Sequence, residues 1–197
     1  MCNGFEQEIA YQAYLAAMEM AELGVPTQQS ELDLPPIEHV HIRDAAAVMR
    51  PAGNAVELAT MRFGFPPPRP KASPVFNFRS EGRRFADSRR CLIPASAFFE
   101  YTGSKSPKTR HRFMLAGRPF LAIAGLWRPA NDNGPPDFTM LTTDPGPDVE
   151  PYHNRQIVIL PPELWAAWLY LTKPEGELLR PLPANSLEVE SDGGGLI

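Results

Sequence analysis

The chain has 197 residues and a formal net charge of −4, which suits one domain large enough to bury most of its apolar surface. Its two cysteines, Cys2 and Cys91, cannot build a disulfide framework, so a reducing cytoplasm is the expected location. No apolar run reaches the ~18 residues of a membrane span, and Glu6 and Glu8 stand where a signal peptide would carry basic residues.

In chain order, residues 5–23 are predicted to form an amphipathic helix, with Phe5, Ile9, Ala13, Ala16 and Met20 on one stripe. Asn3 would cap it with Glu6 three residues on, and Gly24 and Pro26 would stop it. Residues 26–39 read as an acidic, proline-containing loop. From position 56 onward short apolar runs follow one another: "VELATMRFGF", "RCLIPASAFFEY", "RFMLAG", "PFLAIAGLW", "DFTMLTT" and "RQIVIL", each bounded by Gly, Pro or Asp and each read as strand. "NFRSEGRRFADS" is polar and basic, a loop with a short helix. "PPELWAAWLYL" opens on prolines, as a helix N-terminus does, and would bury Leu164, Trp165, Trp168 and Leu169. The expected architecture is a single α+β domain over residues 1–185, an antiparallel sheet or partly closed β-barrel core with flanking helices, followed by a disordered tail at 186–197. The 23 prolines, roughly twice the usual share of about 5%, punctuate it with stiff loops.

Charge is unevenly distributed. Residues 62–112 hold 12 Lys/Arg against Glu81, Asp87 and Glu100, whereas residues 131–197 hold three Lys/Arg against 11 acids. A basic centre between acidic flanks can give an acidic protein a positive face for nucleic acid, and scattered surface charge that keeps the domain soluble is the alternative.

Cys2 sits where a terminus usually frays and contributes little to a core. With Met1 removed it would carry an α-amine and a thiol on adjacent carbons, which no internal residue offers. Glu100 ends "IPASAFFE", where an aromatic setting would raise its pKa for acid–base work; a solvent-facing or arginine-paired strand end is the other reading. His153 in "PYHNRQIVIL" is suited to proton transfer at a loop–strand junction or to a structural hydrogen bond. His39 and His41 lack a third ligand at metal-site spacing, so no metal is expected. Cys91 reads as packing, and no phosphate-binding glycine loop is present.

Taken together, Cys2, Asn77 in "NFRSE", Glu100 and His153, with "RRCLIPASAFFEY", "AIAGLW", "FTMLTT" and "HNRQIVIL" in that order, resemble the SRAP family of SOS response-associated peptidases, or abasic-site processing proteins. The resemblance implies that Met1 is lost and that Cys2 reacts with the ring-opened aldehyde of an abasic site in single-stranded DNA, closing a thiazolidine. It implies that Asn77 orients the cysteine or the sugar, that Glu100 shuttles protons, and that His153 acts on the opened sugar and assists reversal. Arg79, with Arg62, Arg69, Arg83 and Arg84, would hold the strand. It further implies a cytoplasmic monomer without cofactor or metal, and a hydrolase-type peptidase or lyase-like activity in which Cys2 frees its own N-terminus. Here only Met1 precedes that cysteine, so an ordinary aminopeptidase would suffice.

The departures lie in the DNA-gripping positions. The family's opening Cys-Gly-Arg is Cys2-Asn3-Gly4, its Trp-Gly block is followed here by "FPPPRP" without the tryptophan, and Glu-Trp is Glu100-Tyr101. The His-Asp-Arg-Met-Pro block is "HNRQI", and no Pro-Val-Ser region is found. A divergent branch with weaker DNA affinity or another aldehyde substrate is one implication. A thiol peptidase or amidohydrolase using Cys2 with His153, or a non-catalytic nucleic-acid-binding module, are the alternatives.

Overall fold

Alternating apolar residues build the centre of the molecule, which a computed structural model describes over residues 2–24, 35–131 and 134–192. The chain opens with β1 (Gly4–Gln7), α1 (Tyr11–Met20), β2 (Ile37–His41), β3 (Ala45–Ala52), β4 (Ala55–Phe63) and β5 (Asn77–Arg79). It continues through β6 (Arg90–Ala95), β7 (Ala97–Thr102), β8 (Thr109–Leu115), β9 (Leu121–Arg128) and β10 (Asp137–Thr143). It closes with β11 (Gln156–Ile157), β12 (Ile159–Leu160), α2 (Trp165–Tyr170), α3 (Glu175–Leu178) and β13 (Leu187–Asp192).

Two sheets result. One is antiparallel with order β13-β8-β7-β1-β2; the other runs β11-β10-β4-β3-β6-β9-β12, with β5 beside β10. In the second, β10 pairs both with β4 and with β9, so the ladder β4–β3–β6–β9–β10 returns on itself. Between the sheets lie Phe5, Phe98 and Phe113 from one, and Val48, Phe63, Ile93, Ile123 and Phe138 from the other. The opposite face of the second sheet, with Met49, Leu58, Leu92 and Ala124, packs under Tyr14 and Met18 of α1 and Trp165 and Trp168 of α2. Alternate residues of β3, β6 and β9 therefore serve different cores, the period-two consequence of a sheet covered on both sides. Among the described residues no helix is long and apolar enough to cross a membrane.

The predicted strands from position 56 and the helix after Pro161-Pro162 are present, the latter entered by a 3₁₀ turn at Pro162–Leu164. The α+β class holds. Four local expectations are corrected. "NFRSEGRRFADS", expected to be a loop with a short helix, opens with β5 at Asn77–Arg79 and holds no helix. Residues 4–7 are strand, and the helix starts only at Tyr11, behind Ala10 rather than a side-chain cap at Asn3. Phe5 and Gln7 point inward, two apart, and what fixes them is tertiary: Gln7 donates to the Ala47 and Pro94 carbonyls at 3.0 and 2.8 Å and accepts from the Ala47 N–H at 2.7 Å. The loop assigned to 26–39 ends earlier, since β2 begins at Ile37; residues 25–34 lie outside the described part. The tail assigned to 186–197 instead contains β13, paired with β8 from Leu187↔Leu115 to Asp192↔Arg110; residues 193–197 lie outside the described part.

Gly125 in β9 marks a tight crossing of strands. A Cβ there would lie 2.3 Å from Ile93 Cδ1 and 2.8 Å from the Thr139 carbonyl oxygen, and the second is backbone that cannot step aside. Gly125→Ala is expected to lower stability by about 1–3 kcal/mol, the scale of an overpacked core, measurable as a lowered denaturant midpoint with unchanged slope.

Candidate functional site

The N-terminal strand delivers Cys2 to the mouth of the inter-sheet core. Because β1 pairs with β7 at Phe5↔Phe98 and Glu6↔Ala97, extending the register brings Cys2 alongside the Glu100–Tyr101 end of β7. Cys2 is not frayed: it is 1% exposed and belongs to the core between the sheets. This corrects the expectation of a dispensable terminus, and the cause is the Gln7 clamp and the pairing of β1 on both edges. The thiol donates to the Gly4 carbonyl at 3.2 Å. Burial, followed by the nearby Glu100 charge, pushes its pKa up to about 12, so the sulfur is a neutral thiol at physiological pH.

Three of the sequence-derived residues converge on it, two from strands and one, His153, from the loop before β11. Asn77, at the start of β5, donates from Nδ2 to the Cys2 carbonyl at 2.7 Å. Glu100, 2% exposed, accepts a hydrogen bond from the Cys2 backbone N–H. Burial raises the Glu100 pKa, and the neighbouring His153 works against that rise. The His153 Nε2 lies 4.0 Å from Glu100 Oε2. At its other nitrogen, Nδ1 stands 3.0 Å from the Arg155 N–H and 2.9 Å from the Arg155 carbonyl. As the tautomer decides, Nδ1 accepts from that N–H or donates to that carbonyl.

The His153 loop is held by a residue whose weight the sequence did not reveal. Arg155, 8% exposed, donates to Glu81 of the segment after β5, to Asp144 at 2.7 Å and to Thr142 Oγ1 at 3.2 Å. The Glu81 hydrogen bonds, more than the charges alone, raise its pKa further. Histidine and arginine two apart beside a strand were the only local signal; the acids come from 74 and 11 residues away in sequence.

The five arginines expected to hold DNA differ in their surroundings. Arg62 faces Asp137 at 3.6 Å, half-buried, while Arg69 and Arg79 are exposed. Arg83 and Arg84 line a cleft of about 530 Å³ together with Arg89 and Arg128. Its walls are aromatic: Arg83 lies over Phe78 at 4.3 Å, Arg128 over Phe65 at 4.0 Å and Arg89 over Trp127 at 5.1 Å. Asp87 is the acid that lines this cleft. Phe78 and Asn77 are adjacent in β5 and point to opposite sides, so the cleft lies across that strand from Cys2. Among the described residues, no group of three His, Cys, Asp or Glu side chains is placed to hold a metal ion.

Comparisons with known proteins find relatives in sequence and in fold. The protein YoqW of Bacillus subtilis, named an abasic site processing protein, is 31% identical over 156 residues, covering 69% of this chain and 69% of YoqW. YobE of the same organism, named likewise, is 30% identical over 156 residues, covering 69% of this chain and 71% of its own. A crystal structure of a Bordetella bronchiseptica protein superposes with a TM-score of 0.71 at 27% identity, over 98% of this chain and all (100%) of that one. One from Bacteroides thetaiotaomicron, 18% identical, shares the fold with a TM-score of 0.73, covering 98% of this chain and 93% of that one. The sequence pattern of the SOS response associated peptidases matches residues 1–191, and the chain belongs to that family, SRAP.

Proposed function

We propose that this protein captures ring-opened abasic sites in single-stranded DNA as a thiazolidine on Cys2. The observation that carries the reading is the contact between the Cys2 backbone nitrogen and the buried Glu100 carboxylate, beside a thiol on the same residue. Once Met1 is removed, that nitrogen becomes an α-amine, a group whose unperturbed pKa near 7.7–8.0 leaves a share of it neutral at physiological pH. The amine attacks the aldehyde carbon, and Glu100 takes its proton and returns it to the leaving hydroxyl. Water departs and an imine forms. The thiol sulfur then adds to the imine carbon, its proton passing to the nitrogen, and a five-membered ring closes with one water lost overall.

The thiol pKa of about 12 supports this order, amine first and sulfur second. It disfavours the peptidase alternative, which requires an activated thiolate. Asn77, bonded to the Cys2 carbonyl, holds the residue so that amine and sulfur face one carbon. His153, 4.0 Å from Glu100 and held at Nδ1 by the Arg155 backbone, assists sugar opening and reversal. The names of the relatives YoqW and YobE support abasic DNA as the substrate.

Incubation with a single strand containing one abasic site tests the reading: a heat-stable shifted band is expected. Peptide turnover without a band would favour the peptidase, and salt-sensitive retention alone a binding module. For intact strands, weak binding with a shallow salt dependence is expected in the Cys2→Ala variant, because Gly4 stands where the family carries an arginine and "FPPPRP" lacks its aromatic wedge. Replacing Arg83 and Arg84 by glutamine is expected to reduce the salt slope further, by about 0.7 for each phosphate no longer neutralised, as read by fluorescence anisotropy. An unchanged slope would remove the cleft from the DNA path.

A further inference from the structure

At Gly4 the strand β1, which lies between β7 and the edge strand β2, carries no side chain, and flat groups of those two flanking strands meet over it. A Cβ at Gly4 would lie 2.1 Å from His39 Nε2, so only glycine lets His39 of β2 reach across β1 to Phe99 of β7. The His39 and Phe99 ring centroids are 4.8 Å apart. His41 stacks on His39 at 4.0 Å with 9° between the planes, and Arg110 of β8 lies over Phe99 at 5.0 Å. Phe99 is wholly buried beneath this stack, while His41 at its end is exposed. His41 is the register partner of Gly4, two residues from Cys2, so the stack borders the reactive residue.

We propose that the exposed His41 ring takes an unpaired nucleobase of the strand beside the captured nucleotide. This rests on the reading of Cys2 given above. A base fits better than a phosphate because the charges here are already balanced. Arg110 is bonded to Asp192 at 2.8 Å and Glu6 to Arg112 at 2.7 Å, while Asp44 accepts the His41 backbone N–H at 2.8 Å. Burial, with His41 and Arg110 adding to it, lowers the His39 pKa, which keeps that ring a neutral aromatic surface. Every base presents a π-face, so such a stack is indifferent to sequence. It would supply the stacking surface that "FPPPRP" lacks.

The test uses a single strand with 2-aminopurine one or two nucleotides from an abasic site, and the same strand with an ordinary nucleotide in place of that site. Stacking quenches the probe. Quenching is expected in the wild-type adduct and with the intact strand at saturation, and its loss in His41→Ala, whose altered ring is exposed and leaves the core untouched. The intact strand should bind His41→Ala about fivefold or more weakly, the lower end of one base–ring stack. His39→Gln, which breaks the stack from below, should behave alike. Equal fluorescence in wild type and both variants at every probe position would overturn the proposal, even if the adduct forms normally. If no adduct forms, the Cys2 reading fails, and quenching of the intact strand still decides the stack.

Discussion

Cys2→Ala is expected to abolish the heat-stable adduct entirely, because it removes the only atom that can close a ring on the imine. The remaining amine could form only a hydrolysable imine. The fold should survive with a loss of about 1 kcal/mol, as for deleting a methyl-sized group from a packed site. That loss is not zero because Cys2 is part of the inter-sheet core. Cys2→Ser keeps a hydrogen bond to the Gly4 carbonyl within reach but closes the ring poorly, so at most a labile adduct is expected. A gel of each variant after heating, beside its thermal melt, separates chemistry from folding. A heat-stable band in Cys2→Ala would exclude the thiazolidine.

Glu100→Gln should move activity and stability in opposite directions. Capture is expected to slow by roughly 10²-fold or more, the usual scale of acid–base assistance. Stability near neutral pH should rise, because burial raises the Glu100 pKa and the charged carboxylate is therefore disfavoured in the folded state. The sign follows from linkage: below the ordinary carboxylate range both states are protonated and no penalty exists. As pH climbs from there through the raised pKa, the unfolded chain ionises first and the folded state loses stability. Melts of wild type and Glu100→Gln should thus converge in acid and separate toward neutrality, the variant melting higher. His153→Ala should chiefly slow reversal. Slower capture without the stability gain would make Glu100 a structural anchor instead.

The sequence made the second sheet legible because its strands are apolar runs with turn residues between them, and "DFTMLTT" is β10 residue for residue. It misled at the N-terminus, where Phe5 and Ile9 fit a helical stripe while the deciding partners of Gln7, Ala47 and Pro94, lie 40 and 87 residues away. β13 was hidden by its charge: Glu188 and Glu190 signal solvent, yet an edge strand with one wet face tolerates them, and Glu190 pairs with Arg112. At the site, Cys2, Asn77, Glu100 and His153 were found by motif resemblance, and the structure brings them together. Arg155's clamp could not be read because Glu81 lies 74 residues away, nor could the seating of the His39–His41 pair over Gly4 against Phe99, which depends on the pairing of β2, β1 and β7.

The most direct measurement is peptide mapping by mass spectrometry of the adduct formed with an abasic single strand, without reductant. An N-terminal peptide beginning at Cys2 and bearing the sugar remnant is expected, with neither its amine nor its thiol open to alkylation. An adduct on a lysine, an adduct seen only after reduction, or a modified peptide with an alkylatable thiol would contradict it.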